Sequence, residues 1–318
     1  MTNRKKSRIH VALSGVPWVS NNMKEAVECV DNKAFEWSDL PELTSRNIKF
    51  GVIGKALRLI EFAFRIRKAD ILVQVYVDRL AAWKIKIATI LGKRTILYWI
   101  GTDLYSALKG IDTDTVLQAA ERADINLGCG PVAMDELKKL NVKAVSYIVP
   151  PKLSTSLAKM PEEHAVLLSV PDGREDFYGY AELRQLIDDY PAIRFHVVRN
   201  SNRKLWEADN VVFWGVLDNE QMKAVYDCVS IVIRYPEHDS TSTLLMESAI
   251  KGKRVISRNP FPDAWLATSY AELCDSLDRA LDESIEPHMD IRENALELYD
   301  RRRGGEELIR IIRNVALR

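Results

Sequence analysis

Short apolar runs alternate with longer stretches of helical period along nearly the whole chain. Ile9–Ser14 reads as a strand, Gly15–Asn22 as a loop and Met23–Val30 as a helix. Ala34–Trp37 reads as a second strand, and Lys55–Lys68 is strongly helix-periodic. Asp70–Val77, Arg94–Trp99, Ile125–Gly128 and Ala144–Val149 follow as strands, separated by helices over Leu80–Leu91, Thr113–Ala123 and Val132–Leu140. Pro150-Pro151 then stops the pattern, and the segment to Glu163 has no strong period and reads as a hinge or linker. The alternation restarts with strands over Ala165–Val170, Arg194–Val198, Val211–Trp214, Ser230–Ile233 and Arg254–Ser257. Helices are predicted over Tyr180–Asp189, Asn219–Cys228, Ser242–Lys251 and Tyr270–Glu283, with a last one from Ile291 to about Asn314 interrupted at Gly304-Gly305.

Strand–helix alternation at this spacing predicts βαβ units and parallel sheets covered on both faces. The fold class is therefore α/β, with two doubly wound, Rossmann-like domains: residues 1–150, a linker 151–164, a second domain 165–290, and a C-terminal segment 291–318 expected to return to the first domain. Ligands in such sheets bind outside the carboxyl ends of the strands. The loops after strands, and a cleft between two facing domains, are the expected site.

Composition narrows the class. At 47% hydrophobic and 28% charged, the 318 residues describe an ordinary globular chain. No apolar run approaches the length of a spanning helix, and the basic start, Met1 to His10, leads into an apolar run too short for a secretory core. The expected location is cytoplasmic. Four cysteines, Cys29, Cys129, Cys228 and Cys274, are never closer than 46 residues, so neither a CxxC nor a zinc spacing is present. The net charge of zero hides a division: residues 1–150 carry 23 lysines and arginines against 16 acids, and the remainder 22 against 29. Within 46–94 there are 12 basic residues and three acidic ones.

The sharpest stretch is IVIRYPEHDSTSTLLMESAIKGKRVI, Ile231 to Ile256. A buried strand ends at Arg234, a loop carries His238 and Asp239, and Ser240 or Thr241 is placed to cap a helix carrying Glu247. That helix start, with Thr241 and Ser242, would turn its N–H groups toward a phosphate. The stretch resembles the signature of the retaining GT-B glycosyltransferases of the large group called family 4: a loop acid, seven residues, a helical Glu, a small-residue helix, Gly and a Val-Ile strand. Asp239 stands where the usual first acid is Glu. The resemblance implies that Asp239 contacts the donor sugar and that Glu247 holds the ribose hydroxyls, and a carboxylate is a good acceptor for a vicinal diol.

VPDGREDFYGYAEL, Val170 to Leu183, matches a second family piece, in which a Gly-Arg pair and a later Lys-Gly clamp the donor diphosphate. Gly173, Arg174 and Gly179 match, and Tyr178 stands in place of the Lys. Arg174 suits a departing diphosphate. Arg234 and Arg199, each at a strand's carboxyl end, are the candidates for the second charge. NVVFWGVLDNEQMKAVYDCVSIVIR, Asn210 to Arg234, resembles the family's base pocket and puts Trp214 and Gly215 beside a nucleobase, with a core tryptophan as the alternative. The resemblance covers about 165–257 closely and 94–150 loosely. It implies a transferase taking a UDP- or GDP-type sugar, acting on a glycan or lipid-linked acceptor with retention, in cell-surface or extracellular polysaccharide biosynthesis. In such a transfer the leaving phosphate can accept the acceptor's proton, so His238 reads as a donor to sugar or phosphate. No metal or other cofactor is expected.

On the amino-terminal side Gly15 and Trp18 follow the first strand, and Thr102 and Asp103 follow Tyr98-Trp99-Ile100-Gly101; these are the acceptor-side candidates, with a helix cap as the alternative for Thr102 and Asp103. No GxGxxG is present, which argues against a nicotinamide site. The basic stretch 55–94 mixes Lys55, Arg58, Arg65, Arg67, Lys68, Lys84, Lys86, Lys93 and Arg94 with Leu57, Ile60, Phe62, Phe64 and Trp83, the pattern of a peripheral contact with an anionic membrane. An amphipathic helix packed on the sheet is the alternative reading; nucleic acid is not expected, since no recognition motif accompanies the charge. Two rival functions remain at this level: a sugar-nucleotide epimerase on the same fold, and a non-catalytic relative serving as a partner subunit.

Overall fold

The structure is a computed structural model that describes residues 8–40 and 51–318, with the side chains of 51–56 outside the description. Lys55 and the basic positions before Arg8 therefore lie outside the described side chains. The chain forms two compact units, one from Met1–Lys152 with Tyr299–Arg318, the other from Leu153–Leu298.

The first unit runs β1 (Ile9–Ser14), α1 (Pro17–Val30), β2 (Phe35–Asp39), α2 (Gly51–Ile66), β3 (Ile71–Val75), α3 (Arg79–Ile90), β4 (Arg94–Trp99), α4 (Thr102–Leu108), α5 (Thr113–Arg122), β5 (Ile125–Gly128), α6 (Pro131–Lys139) and β6 (Val145–Ser146). Its six strands are parallel in the order β2-β1-β3-β4-β5-β6. The second unit runs β7 (Ala165–Ser169), α7 (Tyr180–Asp189), β8 (Arg194–Val198), β9 (Val211–Gly215), α8 (Asn219–Asp227), β10 (Ile231–Arg234), α9 (Thr243–Ile250), β11 (Arg254–Ser257), β12 (Trp265–Leu266), α10 (Tyr270–Leu281) and α11 (Met289–Leu298). Its parallel order is β12-β11-β10-β7-β8-β9. The last helix, α12 (Arg301–Ala316), belongs to the first unit and packs along α1.

The strands that read as mostly apolar runs are the inner ones. β3, β7, β10 and β11 are buried at every position, because helices cover both faces. In each sheet the strand order reverses beside the first strand: between β1 and β3 in the first unit, and between β7 and β10 in the second. The loops leaving these strand pairs mark the place where an open α/β sheet accepts a ligand.

Three expectations are corrected. The loop after β1 ends at Val16, because Pro17 opens α1 at the position where its missing N–H costs nothing. The segment after Pro151 is not a free hinge: from Leu153 it belongs to the second unit, where the buried Lys253 ammonium donates to the Lys159 carbonyl at 2.7 Å and the Lys159 N–H donates to Asp227 at 2.9 Å. The C-terminal segment divides at Tyr299, not at 291, so α11 stays with the second unit. Gly304-Gly305 does not interrupt α12 but lies in its second turn. A Cβ at Gly305 would stand 2.1 Å from the Ala26 carbonyl oxygen of α1; the glycine permits close approach of two helices.

Candidate functional site

In the second unit the predicted residues gather at the carboxyl edge of the sheet, around the β7/β10 reversal. Arg234 ends β10 and is only 8% exposed. Its Nε donates to Asp239 Oδ2 at 2.8 Å, and its Nη2 donates to the Tyr178 hydroxyl at 3.2 Å. The guanidinium carbon lies 4.7 Å from the centre of the Tyr178 ring. Burial pulls the Arg234 pKa down, but Asp239 and Tyr178 outweigh it and hold the group above its ordinary value, so it stays a cation. Its Nη1 is buried without a hydrogen-bond partner.

Arg174, exposed in the loop after β7, approaches the same tyrosine. Its guanidinium carbon lies 4.4 Å from the Phe177 ring and 5.6 Å from the Tyr178 ring. Gly173, Arg174, Glu175, Asp176, Phe177, Tyr180 and Leu205 line an open groove of about 490 Å³. Glu175 is engaged by other donors: its Oε1 accepts from the Gly173 N–H at 3.1 Å and from Asn200 Nδ2 at 3.0 Å. Its own backbone N–H and Asn200 hold its carboxyl below the usual range.

Beyond β10, Ser242 caps α9 by accepting from the Leu245 N–H at 3.4 Å. The expected caps, Ser240 and Thr241, precede it in the loop with His238 and Asp239. Glu247 is half-buried on α9 and accepts from the Tyr226 hydroxyl at 3.2 Å through Oε2. Burial, then the Glu247 charge, raises the Tyr226 phenol well above its ordinary range, so it remains the donor of that pair.

Trp214 and Gly215 close β9. The indole is half-buried and fastened to the sheet: Nε1 donates to His196 Nδ1 at 2.9 Å, and the two rings stack at 6.0 Å. Arg199 is exposed at the end of β8 with a left-handed φ of 65°, and its backbone N–H donates to the Gly215 carbonyl at 2.7 Å. Only its backbone is shown joined to the site.

The acceptor-side candidates lie in the first unit. Gly15 has φ 110°, and a Cβ there would stand 1.8 Å from the Val75 carbonyl oxygen, so β1 and β3 come this close only around glycine. Trp18 sits in the first turn of α1 and is exposed. Thr102 is the exposed first residue of α4. Asp103 corrects the expectation of a group presented to an acceptor. It is 2% exposed, and its oxygens accept from the N–H groups of Val77, Ile100, Gly101 and Leu104, which ties the loops after β3 and β4 together. Burial pushes its carboxyl up to about 6 against the pull of those four bonds. Lys84, counted from sequence among the surface charges, is also buried, with Nζ donating to Ser14 Oγ at 2.9 Å.

Sequence reasoning missed the part played by Tyr178, seen only as the absence of a lysine, and the anchoring of Glu247 by Tyr226. It also missed the Asn200–Glu175 contact. Each joins separate strand–loop segments, which a linear motif does not display. Among the described residues no group of three or more His, Cys, Asp or Glu side chains could hold a metal ion, and no helix is long and apolar enough to cross a membrane.

No protein-family model matches the sequence, and no curated protein does. Solved structures do match. Sucrose-phosphate synthase from Thermosynechococcus elongatus aligns with a TM-score of 0.72 at 12% identity, over 97% of this chain and 99% of that one. HepE from Anabaena, in complex with UDP, aligns at 0.68 and 8% identity over 96% and 100%. The UDP-GlcNAc 2-epimerase of Methanocaldococcus jannaschii, in complex with UDP-GlcNAc and UDP, aligns at 0.57 and 10% identity over 96% and 99%. The chain has the GT-B fold. Within that GT-B architecture the Arg174–Tyr178–Arg234 group, Asp239 and Glu247 stand at the carboxyl edge of the second unit, and Gly15, Trp18, Thr102 and the buried Asp103 in the first. At these identities the likeness concerns the fold, which a synthase and an epimerase share.

Proposed function

We propose that this protein is a retaining glycosyltransferase, similar in chemistry to the family 4 enzymes, that moves a sugar from a UDP- or GDP-type donor to a glycan or lipid-linked acceptor in cell-surface or extracellular polysaccharide synthesis. The observation that carries the reading is the pair of guanidiniums, Arg174 and Arg234, at the β7/β10 reversal, followed on α9 by Glu247. Two cations at that edge stabilise a departing diphosphate, because charge developing on the leaving oxygen is met by donors already in place. Glu247 takes the ribose diol. Asp239, held beside Arg234, takes a hydroxyl of the donor sugar, with His238 as a donor beside it. The leaving phosphate accepts the acceptor's proton, so no side chain need act as base. The basic first unit holds the acceptor and meets an anionic membrane from the cytoplasmic side. Transfer is expected to survive chelation by EDTA, since the arginines offset the diphosphate charge; loss of activity in EDTA restored by Mg²⁺ or Mn²⁺ would overturn that part of the reading.

Glu247→Ala tests the donor site. It removes a charged acceptor from the diol, an interaction of about 1.5–3 kcal/mol, and is expected to weaken donor binding more than tenfold. Calorimetry with a panel of UDP- and GDP-sugars on a folded variant decides it; unchanged affinity sinks the assignment. An epimerase is the second reading, favoured by the full-length match to the archaeal UDP-GlcNAc 2-epimerase. Incubation with donor alone separates the two, because an epimerase forms its product without any acceptor.

A further inference from the structure

Two guanidiniums share one phenol ring. The Arg174 carbon lies 5.6 Å and the Arg234 carbon 4.7 Å from the centre of the Tyr178 ring, which is itself buried. The negative face of an aromatic ring attracts a cation, so one ring can gather both side chains. Their mutual repulsion remains, offset at Arg234 Nε by the Asp239 carboxylate at 2.8 Å. Arg234 is also incompletely satisfied. Nε is engaged by Asp239 and Nη2 by the tyrosine hydroxyl, while Nη1 is buried with no partner. A buried N–H of a charged group without an acceptor is costly, and its ordinary explanation is a ligand atom that belongs there. With two of its three nitrogens tied, the guanidinium cannot turn, and the edge carrying Nη1 is fixed.

We propose that Tyr178 is a positioning residue that assembles Arg174 and Arg234 into a two-arginine clamp for the terminal phosphoryl group of a nucleoside diphosphate. The proposal rests on the nucleotide-sugar reading above and names the part of the donor that this chain grips. A carboxylate offers two oxygens and is satisfied by one guanidinium fork. A terminal phosphoryl group offers three oxygens on one centre and more charge, which suits two guanidiniums arriving from different loops. Two acids beside them are engaged in ways that leave the clamp edge open: Glu175 Oε1 is bonded to Gly173 and Asn200, and Asp239 occupies Nε and leaves Nη1 open. The tyrosine thus does by arrangement what a lysine at the same position would do by its own charge.

The test compares UDP with UMP, and GDP with GMP, on the full chain and three variants by calorimetry. The ratio of monophosphate to diphosphate Kd isolates the terminal phosphoryl group from the base and ribose. The wild-type ratio for the preferred base is expected to be tenfold or more. Tyr178→Phe, which keeps the ring and removes the hydroxyl, and Arg234→Lys should each lower it at least fivefold, with the monophosphate Kd changed less than twofold. A merely structural role would weaken both ligands together. Arg174→Gln, at an exposed position, gives the same readout should either buried variant fail to fold. An unchanged ratio in the folded variants, or a wild-type ratio near one, overturns the clamp. If the chain binds no nucleotide at all, the nucleotide-sugar reading falls by itself, and inorganic pyrophosphate becomes the probe. Pyrophosphate bound by the wild type and lost in Tyr178→Phe upholds the clamp. Pyrophosphate not bound, or bound equally by both, overturns it.

Discussion

His196 lies buried on β8 and accepts the Trp214 indole N–H through Nδ1, which decides its charge state. An indole can only donate, so Nδ1 carries no proton, and protonation would set two donors against each other. Burial, and then the Arg194 charge, lowers the His196 pKa to about 4. A depressed histidine favours folding while neutral: the contribution is complete above the unfolded value near 6.5 and is lost as pH falls toward about 4. The amount at stake is at most about 3 kcal/mol. His196→Gln can still accept from Trp214 and does not titrate. The variant's thermal midpoint should therefore fall less than the wild type's between pH 6.5 and 4.5; parallel curves would remove His196 from the acid response. At this scale the sequence was partly legible. Arg174, Asp239 and Glu247 could be named from the resemblance of two continuous segments to a family pattern, and Arg234 from its place at a strand's carboxyl end; a single segment carries each of these. The grip of Tyr178 on Arg234 spans 56 residues and exists only once β7 and β10 are neighbours. Asp103 looked like a presented acid because polar residues after a strand ordinarily face solvent, yet four backbone donors draw it inside.

Among elements, the inner strands were the most legible, because burial on both faces leaves a short, mostly apolar run ended by turn residues. Ile9–Ser14, Arg94–Trp99, Ile125–Gly128, Arg194–Val198 and Arg254–Ser257 stand where the pattern puts them. Helix ends were less so, and α4 was missed: seven residues give hardly two turns of period, and its start is set by the burial of Asp103. Gly304-Gly305 misled for a physical reason. Glycine weakens a helix in isolation, but here its missing side chain lets α12 meet α1. Helix propensity alone would make Gly305→Ala stabilising. The packing makes the opposite prediction, since the new methyl would lie 2.1 Å from the Ala26 oxygen, and overpacking costs about 1–3 kcal/mol. Urea unfolding of the two proteins measures the sign, and a variant as stable as the parent would show that α12 can shift at no cost.

For the molecule as a whole, the division of charge leaves the first unit with a face that its own core does not use. On α2, Phe62 and Ile66 enter the core, while Leu57, Ile60 and Phe64 are exposed. On α3, which packs against α2, Trp83 and Ile90 are exposed too. Basic groups stand among them: Arg67 lies 5.4 Å from the Phe64 ring and Lys86 5.0 Å from the Trp83 ring. Lys84 does not belong to this face, being buried against Ser14, and Arg65 is partly offset by Glu61 at 2.8 Å. Apolar side chains interleaved with cations suit a bilayer of anionic lipid, where each Lys or Arg contributes about 1 kcal/mol near the surface. The protein is expected to sediment with anionic vesicles and not with neutral ones, and salt should release it, since screening shortens electrostatic reach from about 8 Å at physiological ionic strength to about 3 Å at 1 M. Arg58, Arg65, Arg67 and Lys68 changed together to Gln should abolish the binding, and Ile60→Ser with Phe64→Ser should weaken it at every salt concentration. Neither set should alter nucleotide-sugar affinity, because the residues proposed to hold the donor belong to the other unit. If the parent protein ignores anionic vesicles at low salt, the membrane reading fails, and the charges are a solvated helix face or a docking surface for an acidic acceptor. Loss of donor affinity in the quadruple variant would instead overturn the division of labour between the two units.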